Sequence, residues 1–231
     1  SLTVEKMMDH PEISGLTFVG STNVARDLRA KGIQVNKRVQ AFGSGKNHLL
    51  VLPDADIDMV ADAAVSAGFG AAGQRCMAVS VLVIVGDIAD KLVHKITERI
   101  PEIIVGSAHD KNVQLGPVIS AKSRDRIHSF IENAEENGAE IIVDGRQEYL
   151  DKGFTVGATV IDRVRPGMPI YDNEIFGPVL SIVRVDTYEE AMKIIAGHPL
   201  GNGSAIFTRD GGAARLFSEE VEAGMIGINV P

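Results

Sequence analysis

An α/β fold, a parallel sheet with helices on both faces, is the expectation from three features of this 231-residue sequence. Strand-like and helix-like segments alternate along the whole chain. The strand-like runs are mostly apolar at successive positions, as strands covered on both sides are. Helices link these runs, and helix-linked apolar strands pair in parallel with the helices lying over both faces.

Leu16 to Gly20 reads as a short strand, and Ser21, Thr22 and Asn23 offer N-caps for a helix to about Ala30. Val35 to Phe42 leads to a second strand, and Leu49 to Leu52 is a third apolar run before Pro53. Asp54 or Asp56 then caps a helix, because Ile57, Val60, Ala61, Ala64 and Val65 recur at helical spacing. Val79 to Val85 is a buried strand. Leu92, Val93, Ile96 and Ile100 mark an amphipathic helix stopped by Pro101. Ile127, Phe130, Ile131 and Ala134 mark the next, ended by Gly138. Ala139 to Val143 and Phe154 to Ile161 read as extended, and Val179 to Val185 as a strong strand. Ala191, Ile194 and Ile195 carry a helix after Thr187. Ser204 to Phe207 is then a strand, Ala213 to Glu222 a helix and Ile226 to Val230 a last strand.

The composition, 45% hydrophobic and 23% charged, supplies a core of ordinary size. A net charge of −8 without a compensating basic face argues against a nucleic-acid or anionic-membrane partner. No apolar run reaches transmembrane length, and none reads as a signal peptide. A lone cysteine forms no internal disulfide, and one free thiol fits a reducing compartment.

That cysteine, Cys76, lies in FGAAGQRCMAVS, residues 69–80. It is either inert core filler or a reactive thiol, and its flanks favour the second. Gly68, Gly70, Gly73, Ala71 and Ala72 remove side-chain bulk on the approach and loosen the preceding helix into a bend. Arg75 is adjacent, and a guanidinium favours the nucleophilic thiolate. Cys76 therefore stands on a tight crossing from helix to strand. The six histidines are scattered without ligand-like spacing, so they read as solvated or locally bonded and no metal site is expected. The acidic pairs Glu135-Glu136, Glu189-Glu190 and Glu219-Glu220 read as solvated helix faces.

GQRCMA, residues 73–78, resembles the nucleophile segment of the NAD(P)-dependent aldehyde dehydrogenases. LTFVGST at 16–22, GKNHLLVLPDADID at 45–58 and NEIFGPV at 173–179 match the same family in its order and spacing. Lys46-Asn47-His48, GNGSAIFTRDG and GINVP narrow the resemblance to the CoA-acylating methylmalonate-semialdehyde dehydrogenases. It covers essentially the whole chain but only the middle and later part of a family member. It implies that residues 1–45 are the end of the dinucleotide-binding domain and 46–231 an aldehyde dehydrogenase catalytic domain. It further implies a soluble, cytoplasmic enzyme (mitochondrial in a eukaryote), a dimer or homo-tetramer when complete, using NAD as cofactor and coenzyme A as co-substrate. The isolated segment is expected to bind NAD weakly and turn over little.

The resemblance also assigns roles. Cys76 attacks the aldehyde carbonyl, and its backbone N–H is one oxyanion donor, the other coming from an Asn outside this segment. Glu174 and Phe176 contact the nicotinamide ribose. Ser21 lies near NAD at a strand-to-helix turn, Gly43 lies beside the nicotinamide, and Lys46 is structural. Arg75 binds the substrate carboxylate, a task suited to a guanidinium fork. Otherwise it tunes the thiol or pairs with a surface acid.

Phe42 departs from the pattern. Hydrolytic family members carry a Glu four residues before the Lys, and a phenyl ring cannot take its place as a base on water. The enzyme thioester then awaits a better nucleophile, the thiol of CoA, and a β-carboxylate leaves as CO₂ to give propionyl-CoA or acetyl-CoA. The branch more often has Asn or an aliphatic residue here. Two other readings stay open: a hydrolytic dehydrogenase in which another group activates water, and a folded, inactive fragment with a silent Cys76.

Overall fold

The computed structural model describes residues 2–147 and 153–231. The chain forms two compact units, Ser1–Ser44 and Gly45–Pro231. The first holds α1 (Leu2–Asp9), β1 (Gly15–Val19), α2 (Thr22–Gln34) and β2 (Arg38–Phe42). β1 and β2 pair in parallel from Gly15↔Arg38 to Val19↔Phe42, with α2 as the crossover. Ala25, Leu28 and Gly32 are the buried residues of α2. A Cβ at Gly32 would stand 2.3 Å from a methyl carbon of Val39, so glycine lets the helix lie close on its strand. α1 was not expected from the sequence pattern, and only Met8 on it is buried.

The second unit is built on a sheet of seven strands. Its elements are β3 (Asn47–Val51), α3 (Ile57–Phe69), β4 (Val79–Val85), α4 (Ala89–Arg99), α5 (Ala121–Glu136), β5 (Glu140–Val143), β6 (Thr159–Asp162), α6 (Pro169–Asp172), β7 (Val179–Val185), α7 (Tyr188–Ala196), β8 (Gly203–Phe207), α8 (Gly211–Glu220) and β9 (Met225–Ile228). The strand order is β5-β6-β7-β4-β3-β8-β9. Every pairing is parallel except β5 with β6, which is antiparallel. The sheet is the expected, mainly parallel one, with a single antiparallel pair at the β5 edge, and among the described residues no helix lies between β5 and β6. The stretch expected as extended from Phe154 is a strand only from Thr159.

All residues of β3 and β8 are buried, as are most of β4 and β7, which is why these segments read as unbroken apolar runs. The cap of α3 is Asp56, whose side chain accepts from Met59 N. Asp54 instead accepts from Thr208 Oγ1 and Arg209 N, tying the β3–α3 turn to the end of β8. Among the described residues no helix is long and apolar enough to cross a membrane.

His48 and His198, far apart in sequence, meet in this unit, which corrects the picture of dispersed imidazoles. His48 on β3 is buried, and its Nε2 lies 3.1 Å from Tyr171 Oη. His198 Nε2 lies 3.1 Å from the Tyr171 carbonyl oxygen. The three rings stack edge-on with centroids 4.9–5.7 Å apart. Burial, with smaller contributions from His198 and Lys46, holds the His48 pKa down to about 3. The unfolded chain therefore takes up a proton below about pH 6.5 that the folded chain refuses, so stability falls as pH drops from there toward 3. In denaturant titrations between pH 6.5 and 4, His48→Gln should show a shallower loss, by up to about 1.4 kcal/mol per pH unit. Equal slopes for the two proteins would show that His48 is not kept neutral.

Candidate active site

After α3 ends at Phe69 the chain makes a short turn over Gly70–Gly73. Ala71 and Ala72 both have φ 53° and ψ 35°, and Gly73 has φ 66°. Left-handed backbone costs an alanine about 1–2 kcal/mol, so packing must hold this turn. The packing is visible at Gly73. A Cβ there would stand 2.1 Å from the carbonyl oxygen of Gly177, so the cysteine approach presses directly on the 173–179 loop.

Cys76 is exposed, in the turn just before β4. Its carbonyl oxygen accepts from Asn47 Nδ2 at 2.8 Å and from Asn202 Nδ2 at 2.7 Å. The buried Asn47 amide also donates to Ala78 O at 2.7 Å and accepts from Gly203 N at 2.9 Å. Among the described residues the Cys76 N–H meets no protein acceptor. Asn47 and Asn202 carry no signal in the local cysteine sequence; only strand pairing brings them there.

The facing loop is held by its backbone. Arg126 on α5 donates to the carbonyls of Glu174, at 3.2 Å, and Ile175. Lys46, 1% exposed, donates to Ile170 O at 2.7 Å and Asn173 O at 2.8 Å. Burial lowers the Lys46 pKa to about 7, with Glu174 and Asp172 opposing the shift. Glu174 Oε1 accepts from Gly45 N at 3.3 Å. Phe176 is exposed with φ 53°, a conformation rare for a bulky residue. Cys76, Arg75, Glu174 and Phe176 line one cleft.

Arg75 does not pair with an acid among the described residues. Its Nη2 donates to Ser66 O at 3.0 Å and Ala67 O at 3.1 Å, at the carbonyl end of α3.

Ser21 and Gly43 lie in the first unit, at the C-terminal ends of β1 and β2. Ser21 is the N-cap residue of α2 by position, but its hydroxyl makes no capping bond. Thr22 Oγ1 accepts from Ser44 N at 3.0 Å, and a Cβ at Gly43 would stand 2.7 Å from that oxygen. Phe42, the last residue of β2, is half exposed.

A family model described as the aldehyde dehydrogenase family matches residues 1–231. The chain belongs to the aldehyde dehydrogenase family. It is 45% identical to a malonate-semialdehyde dehydrogenase of Pseudomonas aeruginosa over 99% of its own length and 47% of that protein. A malonate-semialdehyde dehydrogenase of Geobacillus kaustophilus is 43% identical, with 98% and 47% covered. The crystal structure of a methylmalonate-semialdehyde dehydrogenase from Oceanimonas doudoroffii superposes with a TM-score of 0.96 at 45% identity, covering 99% of this chain and 48% of that one. The chain thus spans about half the length of the curated relatives it matches.

Asn47→Ala removes both donors and the acceptor of a buried amide that joins three segments around Cys76. The orphaned backbone groups should cost about 2–4 kcal/mol of unfolding free energy in urea. A loss below about 0.5 kcal/mol would mean that the linkage is dispensable.

Proposed function

We propose that this chain carries the cysteine site of an NAD-dependent semialdehyde dehydrogenase. Its substrate is malonate or methylmalonate semialdehyde, and its acyl group passes to coenzyme A with loss of CO₂. The observation that carries this reading is the exposed Cys76 sharing a cleft with Arg75, Glu174 and Phe176 while a phenyl ring occupies position 42. The relatives named above, in Pseudomonas aeruginosa and Oceanimonas doudoroffii, support the substrate class. A protein from Sinorhizobium meliloti assigned as a methylmalonate-semialdehyde dehydrogenase, 44% identical, was solved with NAD and supports the cofactor.

Each unit by itself carries groups suited to part of a dinucleotide. Glu174 uses one carboxylate oxygen on Gly45 N, leaving the other for a ribose hydroxyl. Phe176 offers an exposed ring face on a fixed backbone. Ser21 presents a hydroxyl not spent on capping, at the N-terminus of a 13-residue helix, and Gly43 brings backbone without a side chain. Bound nicotinamide supplies the hydride acceptor.

Cys76 Sγ adds to the aldehyde carbon, and the Cys76 N–H, without a protein acceptor, supports the alkoxide that forms. Asn47 and Asn202 fix the Cys76 carbonyl and thereby the orientation of the turn. Arg75 receives the substrate carboxylate. After oxidation the acyl group is a thioester on Sγ. Its carbonyl accepts the electron pair released as the β-carboxylate leaves as CO₂, the resulting enolate takes a proton from water at the α-carbon, and the thiol of CoA then displaces Cys76 as the leaving thiolate. No carboxylate at position 42 activates water against that thioester.

In the full-length protein, malonate or methylmalonate semialdehyde with NAD should yield acyl-CoA and depend on added CoA. Cys76→Ala should lower turnover by about a thousandfold or more. Free acid formed at the same rate without CoA would overturn the acyl-transfer reading and favour hydrolysis.

A further inference from the structure

We propose that Gly70 is a specificity-determining residue: the space left by its missing side chain is where the guanidinium of Arg75, the residue next to Cys76, docks. The inference rests on the reading that Arg75 receives the substrate carboxylate.

The docking surface is the carbonyl end of α3. Ser66 O already accepts from Gly70 N, and it and Ala67 O both take Arg75 Nη2. These carbonyls carry the negative end of the helix dipole, which suits a cation. With Nη2 engaged on both oxygens, Nη1 is left to offer a carboxylate single N–H donors rather than the two-pronged fork, which needs Nη2. The same contact selects the rotamer of a long side chain that would otherwise sample many.

Gly70 makes the docking sterically possible. A Cβ built on it would stand 2.7 Å from Arg75 Nη2, 3.1 Å from Cζ and 3.5 Å from Nη1, and these are the three nearest atoms. The backbone does not demand glycine: Gly70 has φ −54° and ψ 136°, open to any residue. Gly73 differs, because its obstacle is the backbone of Gly177 and its φ is 66°. A methyl at 70 therefore displaces the far end of one flexible side chain, and at 73 it would displace a loop.

The test uses the chain itself, in which Cys76 is the only cysteine. Iodoacetate and iodoacetamide each form the same S–C bond and expel iodide, differing only in carrying a carboxylate or an amide. The ratio of their alkylation rates reads the cation beside the sulfur. Gly70→Ala should melt near the wild-type temperature and lower the iodoacetate-to-iodoacetamide ratio about five- to tenfold. Arg75→Ala should lower it equally, and the double variant no further. An unchanged ratio in Gly70→Ala beside a lowered one in Arg75→Ala overturns the role of Gly70 and leaves the carboxylate reading standing. An unchanged ratio in Arg75→Ala overturns both. A further drop in the double variant, or a Gly70→Ala chain that fails to fold, shows that the methyl displaces something other than Arg75 and overturns the inference.

Discussion

The side-chain amide of Asn47 is the joint from which the rest of the candidate site hangs. β3, β4 and β8 are neighbours in the sheet, and Asn47 opens the middle one. Its two amide ends reach the turns that lead into the flanking strands, Cys76–Ala78 on one side and Gly203 on the other. Parallel pairing makes this possible, since three parallel strands begin along the same edge. Buried polar groups of this kind must be fully satisfied, so the amide specifies a single arrangement of the turns.

The consequence is that the cysteine cleft opens at the N-terminal edge of its sheet. Glu174 and Phe176 likewise precede β7 rather than follow it. Open α/β sheets usually bind ligands beyond the carboxyl ends of their strands. Ser21 and Gly43, proposed as cofactor contacts, follow the carboxyl ends of β1 and β2 in the first unit, whereas Cys76 precedes β4. Backbone strain gathers at the same edge, with positive φ at Ala71, Ala72 and Phe176. Arg126 and Lys46 oppose it by gripping main-chain carbonyls of the loop, which fixes backbone position whatever the side chains do.

Most of the fold was legible because its signals are local. Helix periodicity placed α3, α4 and α5, and unbroken apolar runs placed β4 and β7 to the residue. The failures have a common cause. Asp54 and Asp56 are equal as caps by composition, and the choice falls to Thr208 and Arg209, 150 or so residues later. α1 is only 8 residues long and buries a single side chain, Met8, too short a pattern to stand out. The antiparallel β5–β6 edge is a matter of pairing direction, which neither strand's own residues carry.

By itself the sequence determined the chemistry available: one thiol in a glycine-rich turn, an acid and a ring in a second loop, and no carboxylate at position 42. Residue identity settles which groups can attack, accept a proton or bind an anion. Only the tertiary structure decided which of them act together. Gly73 against Gly177, Asn47 between two turns, His48 beside His198, and Arg75 laid on the end of α3 are all contacts made by strand order and helix packing. Such contacts join residues with no periodic relation along the chain, and no local propensity encodes them.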